Sequence, residues 1–196
     1  MIVYVVSHPE VHVDAATPVP EWGLSAQGRE RLERLLVMPW VCSAAFIASS
    51  TERKALETAE AAAEISGCVV LLEADLGEND RSATGFVPPE EFERLADAFF
   101  ADPECSVRGW ESAADAQRRI VGAVDRVVQQ ALATGVGQAA DDAGSVVIAT
   151  HGGVGTLLLC ALLGVPIDRR LDQDGQGSWY CFDAATREVA HGWRRL

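Results

Sequence analysis

Two histidines carry the chemistry open to this chain, and each follows an apolar run. His8 comes after Ile2-Val-Tyr-Val-Val-Ser7, and His151 after Ser145-Val-Val-Ile-Ala-Thr150. Short runs rich in β-branched residues read as strands of a parallel sheet covered on both faces. Parallel strands deliver their C-terminal ends to one edge, where open α/β sheets hold ligands. The two imidazoles are therefore expected to be neighbours, although far apart in sequence. A neutral imidazole is a good nucleophile near pH 7. One such histidine alone is ordinarily bonded to its own loop; two at one edge favour a site. The other two histidines, His12 and His191, fall in a loop and in a C-terminal hairpin.

A second apolar strand, Ala44 to Ser49, leads into Ser50-Thr51-Glu52-Arg53-Lys54 at the start of a helix. The free N–H groups and dipole of a helix N-terminus suit an anion, phosphate above all. Of 16 basic residues Lys54 is the only lysine, and it falls here. The plain alternative is that Arg53 and Lys54 pair with Glu57 and other acids on an exposed face. Beyond the third strand lies Glu78-Asn79-Asp80-Arg81, where a carboxylate above an anion pocket suits a general acid. Asp80 reads as part of a polar turn. His8 and His151 are thus the candidates for catalysis, with Lys54 and Arg53 for phosphate. No clustered His and carboxylate spacing suggests a metal, and no cofactor is expected.

These residues need elements to hold them. Ser25 is expected to cap a helix reaching Leu36, a helix from the 50–52 segment runs to about Ile65 before Gly67, and Cys68 to Leu72 forms a third strand. Residues 75–111 change character, with glycine, proline and acids around a short helix from about Pro89 to Phe100. They read as an inserted lid. A helix from about Ser112 to Ala133 follows, then a polar stretch, Thr134 to Gly144, expected to be a disordered loop. Alternation over 178–183 and 188–193 predicts a terminal hairpin. The expected fold is one domain over 1–196, a three-layer α/β/α sandwich with a mostly parallel sheet and an antiparallel edge.

Bulk properties narrow the partners. With 48% hydrophobic and 23% charged residues the chain can bury a sizeable core. A net charge of −13 disfavours nonspecific binding to nucleic acid or anionic membrane, but leaves a small anion open through a local basic pocket. Cysteines 42, 68, 105, 160 and 181 are odd in number, without CxxC spacing, and read mostly as small buried thiols. Met1 runs straight into the first strand, and no apolar run reaches the roughly 18 residues of a membrane span. A cytoplasmic location is expected, with a small phosphorylated substrate or anion as partner and a homodimer as an option.

In order along the chain, strand–x–His at the N-terminus, Ser-Ser-x-x-x-Lys-Ala-x-Glu-Thr-Ala from Ser49 to Ala59, and strand–His-Gly-Gly at 151–153 resemble the histidine phosphatase superfamily, also called phosphoglycerate-mutase-like. Leu24-Ser-x-x-Gly28, and Gly109-x-Glu111-Ser112 followed by Arg118 or Arg119, are secondary matches. The resemblance implies that His8 is the nucleophile forming a phosphohistidine, that His151 contacts the same phosphoryl oxygens, and that Glu78 protonates the leaving group. Covalent transfer would split one hard displacement into two.

The chain also departs from the pattern. Ser7-His8-Pro9 stands where the family has Arg-His-Gly, and Lys54 where it has a second arginine. Two bidentate guanidinium forks are lost at the aligned positions, and Lys54 offers a point charge instead. Arg53 is one residue out of register, about 100° around a helix. Under the resemblance Arg81 is expected to restore a guanidinium from another direction, with Ser7 and Gly152 as further phosphate contacts. An active phosphomonoesterase and a non-catalytic anion binder are thus both expected readings. A nucleotide loop at 152–156 lacks the P-loop lysine, and no G-x-S-x-G elbow marks a serine hydrolase.

Overall fold

The computed structural model describes residues 1–137 and 144–196. Four strands run parallel: β1 (Ile2–Ser7), β2 (Ala44–Ser49), β3 (Val70–Leu72) and β4 (Ser145–Thr150). Two more, β5 (Ser178–Asp183) and β6 (Val189–Arg195), form the antiparallel edge. The sheet order is β3-β2-β4-β1-β5-β6. β4 sits in the middle and every one of its six residues is buried, as its unbroken apolar run requires.

Helices α1 (Ala26–Leu36), α2 (Pro39–Cys42) and α3 (Arg53–Ser66) cover one face of the sheet. There Leu32, Leu35, Val41, Ala59 and Ala62 pack on Val6, Ile47, Val147 and Ala149. Helices α4 (Pro89–Ala101), α5 (Ala113–Ala133) and α6 (Gly152–Leu163) cover the other, packing Phe99, Ile120, Val124 and Leu158 on Val3, Val5, Val146 and Ile148. The alternation of Val5 and Val6 between the two cores is the period-two rule applied to one strand. This is the three-layer sandwich expected from the sequence.

The helix starts follow their caps. Ser25 accepts from the Gly28 N–H at 3.0 Å, and Ser112 from the Asp115 N–H at 3.1 Å. Gly28 also lets α1 approach the chain after His8, since a Cβ there would lie 2.1 Å from the Glu10 carbonyl oxygen. That carbonyl accepts from the Ser25 N–H and hydroxyl, pinning the stretch that leaves β1. The third strand is shorter than expected, starting at Val70, and α2 was not anticipated. Four residues are too few to show a helical period. The cysteines need correction: Cys160 and Cys181 are buried, Cys68 is half-buried, and Cys42 and Cys105 are exposed. Cys42 ends the single-turn helix α2 and Cys105 lies in the turn after α4, both on the solvent side, where apolar neighbours in sequence do not become neighbours in space. Much of the expected 134–144 loop falls on 138–143, outside the described residues.

Candidate active site

Strand register brings the histidines together. β1 and β4 pair with Ser7 opposite Thr150, so the next residue of each strand is a histidine at the same edge. The His8 N–H continues the ladder to the Thr150 carbonyl, and the Ser50 N–H does so to the Ala149 carbonyl. His8 and His151 then face each other edge to face, with ring centroids 5.2 Å apart. Both are buried.

Each ring has one nitrogen engaged. His8 Nδ1 lies 2.8 Å from the carbonyl oxygen of Pro9, which accepts a hydrogen bond from Nδ1–H, so that Nε2 keeps its lone pair. His151 Nε2 sits 2.8 Å from Ser50 Oγ and 3.4 Å from Glu52 Oε1. His151 Nδ1 is buried and has no hydrogen-bond partner among the described residues. A buried ring nitrogen without a partner is costly unless a ligand supplies one.

Burial, aided by the Lys54 charge, pushes His8 down to about 4. Burial and the neighbouring His8 likewise hold His151 well below its ordinary value. Both rings are therefore neutral at pH 7. The folded pKa of His8 lies below its unfolded value of 6.5, so the unfolded chain takes up the proton first on acidification. Stability associated with His8 is full above about pH 6.5 and is lost as pH falls toward about 4. Urea unfolding at pH 7 and pH 5 is expected to show a smaller pH difference in His8→Ala than in the wild type; an equal difference would contradict the depressed pKa.

Lys54 is buried, and its ammonium is committed to the Glu52 carboxylate and, at 3.1 Å, to the Val19 carbonyl. Glu52 stands at the N-cap of α3 but does not cap it. Its carboxylate instead joins Lys54, the edge of His151, and the Glu78 N–H at 2.8 Å. Sequence reading passed over Glu52 as one more helix-start acid. The signal was there in its position two residues before the lone lysine.

Glu78 accepts from the N–H groups of Gly153 at 3.1 Å and Val154 at 3.0 Å, so its carboxylate seats on the N-terminus of α6. Burial alone would raise its pKa. The Arg81 guanidinium, 3.5 Å away, and the Asn79 N–H outweigh burial and bring it below its ordinary value. Arg81 lies over Phe92 and Trp110, 5.1 and 5.5 Å from their ring centroids.

Arg119 holds the approach to Glu78. Its guanidinium pairs with Glu111 and donates to the carbonyls of Asp75, Gly77 and Glu78 at 2.7 to 3.1 Å. This identifies which of Arg118 and Arg119 does structural work; Arg118 pairs only with Asp115 at the surface. Arg119→Ala leaves three carbonyls without this donor and the Glu111 carboxylate without its cation, at an expected cost of about 3 kcal/mol. Chemical denaturation would check this, and a loss below about 0.5 kcal/mol would count against it.

Two candidates do not join the cluster as expected. Arg53 points away: it pairs with Glu57, which also holds Arg29 and the Leu24 N–H, and its side chain is 62% exposed. The one-residue phase error around the helix is the reason. Ser7 is buried, with its hydroxyl taken up by Ser178 and Gln173. Gly152 opens α6 beside His151, with Gln173 packed over it. Asp80 forms the polar turn anticipated, accepting from the Ser82 N–H at 2.8 Å. Among the described residues no group of three or more His, Cys, Asp or Glu is arranged to hold a metal, and no helix is long and apolar enough to cross a membrane.

A family model described as histidine phosphatase superfamily (branch 1) matches residues 3–190. A search of curated proteins gives no significant match. Among solved structures, the native mycobacterial glucosyl-3-phosphoglycerate phosphatase superposes with a TM-score of 0.78 at 23% identity, covering 98% of this chain and 95% of that one. The same phosphatase with inorganic phosphate gives 0.77 at 24% identity, covering 98% and 94%. YhfR of Bacillus stearothermophilus gives 0.73 at 24% identity, covering 96% and 95%. At such identities these structures share the fold.

Proposed function

Because this chain belongs to the histidine phosphatase superfamily, we propose that it hydrolyses a small phosphomonoester through a phosphohistidine on His8. The observation that carries the reading is the facing pair of buried histidines with complementary vacant nitrogens. His8 Nε2 is free to attack, while His151 Nδ1 is buried without a partner. A phosphoryl group between them would meet the nucleophile on one side and the second ring on the other. In the first step the Nε2 lone pair of His8 forms a bond to phosphorus as the ester P–O bond breaks. Glu78, the buried carboxylate seated at the start of α6, is assigned delivery of a proton to the departing oxygen. It must first take one up, because Arg81 and the backbone favour its ionised form. Water then displaces phosphate from His8, with Glu78 as base. Positioning and charge neutralisation supply most of the rate.

In this reading the 75–111 segment is a lid. Phe86 meets Trp22 of the facing 12–23 loop at 5.7 Å between ring centroids, so the mouth is partly aromatic. The substrate is a small phosphorylated compound, and the expected location is the cytoplasm. A panel of phosphate esters, assayed for released phosphate, tests the activity; no turnover on any of them alongside saturable binding of inorganic phosphate would replace it with a second reading. That reading, a binder without turnover, is favoured by one feature. Lys54 is neutralised by Glu52 and Arg81 by Glu78, so the described groups around the histidines bring no net positive charge.

A further inference from the structure

We propose that Gln173 is a ligand-contacting residue of this site, its side-chain amide donating to a phosphoryl oxygen where no free guanidinium is at hand. The proposal rests on the phosphate-site reading above. Its basis is the arrangement around Ser7. Ser7 Oγ accepts from the Ser178 N–H at 3.0 Å, which leaves its single proton to donate. The shortest contact for that proton is Gln173 Oε1, with the Ser178 carbonyl farther off at 3.2 Å. With Oε1 accepting, the other arm of the amide, Nε2, has its direction fixed and carries two donors.

That arm lies on the N-terminal residue of α6. A Cβ built on Gly152 would come within 2.2 Å of Gln173 Nε2, so the glycine beside His151 is what admits the amide. Among the described residues Nε2 makes no hydrogen bond. The loop that carries it is held from both sides of the site. The Gly177 N–H donates to the His8 carbonyl at 3.0 Å. Asp172, the residue before Gln173, accepts from Thr156 of α6 at 2.8 Å and from the Gln173 N–H at 2.8 Å. Gln173 is half-buried, so its amide is both fixed and reachable. A preorganised donor pair without an acceptor among the described residues, lying on the residue next to the histidine whose Nδ1 has no partner, is suited to an oxygen-rich anion. Ser7, its hydroxyl already committed to Ser178 and Gln173, orients the residue that does.

Calorimetric titration with inorganic phosphate, and with orthovanadate as a second probe, tests this without requiring turnover. Gln173→Ala is expected to weaken phosphate binding roughly tenfold. Gln173→Glu keeps the shape but puts a carboxylate against the anion, and is expected to weaken binding more than about a hundredfold. Ser7→Ala should weaken it by less than Gln173→Ala, and the double variant should match Gln173→Ala alone. A folded Gln173→Glu that binds phosphate within twofold of the wild type overturns the proposal. Should that variant not fold, wild-type affinity in Gln173→Ala overturns it equally. Loss of ester hydrolysis from the whole panel with these affinity changes intact would sink the phosphatase activity and leave Gln173 as a ligand contact. A wild type with no phosphate binding would overturn both.

Discussion

His8→Ala is expected to lower phosphomonoester turnover by roughly 10⁴-fold or more while leaving the fold in place. The size of the effect follows from the covalent route. Without Nε2 no phosphohistidine forms, and what is left is whatever His151 and the helix ends contribute to water attack. The fold survives because His8 side-chain bonding is local: Nδ1 meets only the carbonyl of the next residue, while strand pairing uses the His8 backbone. Rates on any ester the wild type hydrolyses measure the loss. The intermediate itself can be sought with labelled substrate, by denaturing in alkaline detergent, because a phosphohistidine survives alkali and is lost in acid. Label retained by the wild type and absent from His8→Ala is the expected pair of results. Turnover within tenfold of the wild type in His8→Ala would remove His8 from the chemistry.

The second large effect is on stability. Lys54→Met is expected to cost about 3 to 5 kcal/mol, because it leaves the Glu52 carboxylate buried without its cation. Side-chain exposures of 5% for Lys54 and 13% for Glu52 put this pair in the class where removing one partner is costly. Taking both charges away is a different operation. Glu52→Gln with Lys54→Met should recover most of the loss, since a buried pair roughly repays its own desolvation. Denaturant midpoints for the two single variants and the double variant give the coupling directly. Additive single losses would mean that the pair is not the unit its geometry implies. Glu52→Gln alone also tests the link to the 75–111 segment, because Glu52 accepts the Glu78 N–H.

The fold was legible from strand runs and caps because both are local signals. A stretch such as 145–150 is buried on both faces and says so in six residues. Ser25 and Ser112 announced their helices by the same hydroxyl chemistry that they use in the structure. The histidines were legible because parallel pairing turns two strand ends into one place. What escaped was set by tertiary direction. Arg53 and Lys54 are adjacent in sequence, yet one reaches solvent and the other the site. Glu52 looked like a cap and turned inward. Gln173 sits in a connection without periodicity, where nothing in sequence reports that a loop folds back over Gly152. Ser7 was read as facing a ligand, but its hydroxyl is used within the protein.

The pairing of Ser7 with Thr150 has one more consequence. The distance between the two imidazoles is set by hydrogen bonds at the centre of the sheet, whereas residues 82–90, ahead of the core-packed part of α4, are mostly exposed. Reactivity and selectivity are then physically separable properties of one chain. On the proposed lid reading, exchanging the exposed stretch 82–90 is expected to alter which molecules are admitted without shifting the reacting pair. Inserting a single residue anywhere in β1 or β4 would do the reverse, reversing the faces of every side chain beyond it and separating the histidines while the entrance stayed intact. Variation in such a protein is channelled toward the rim.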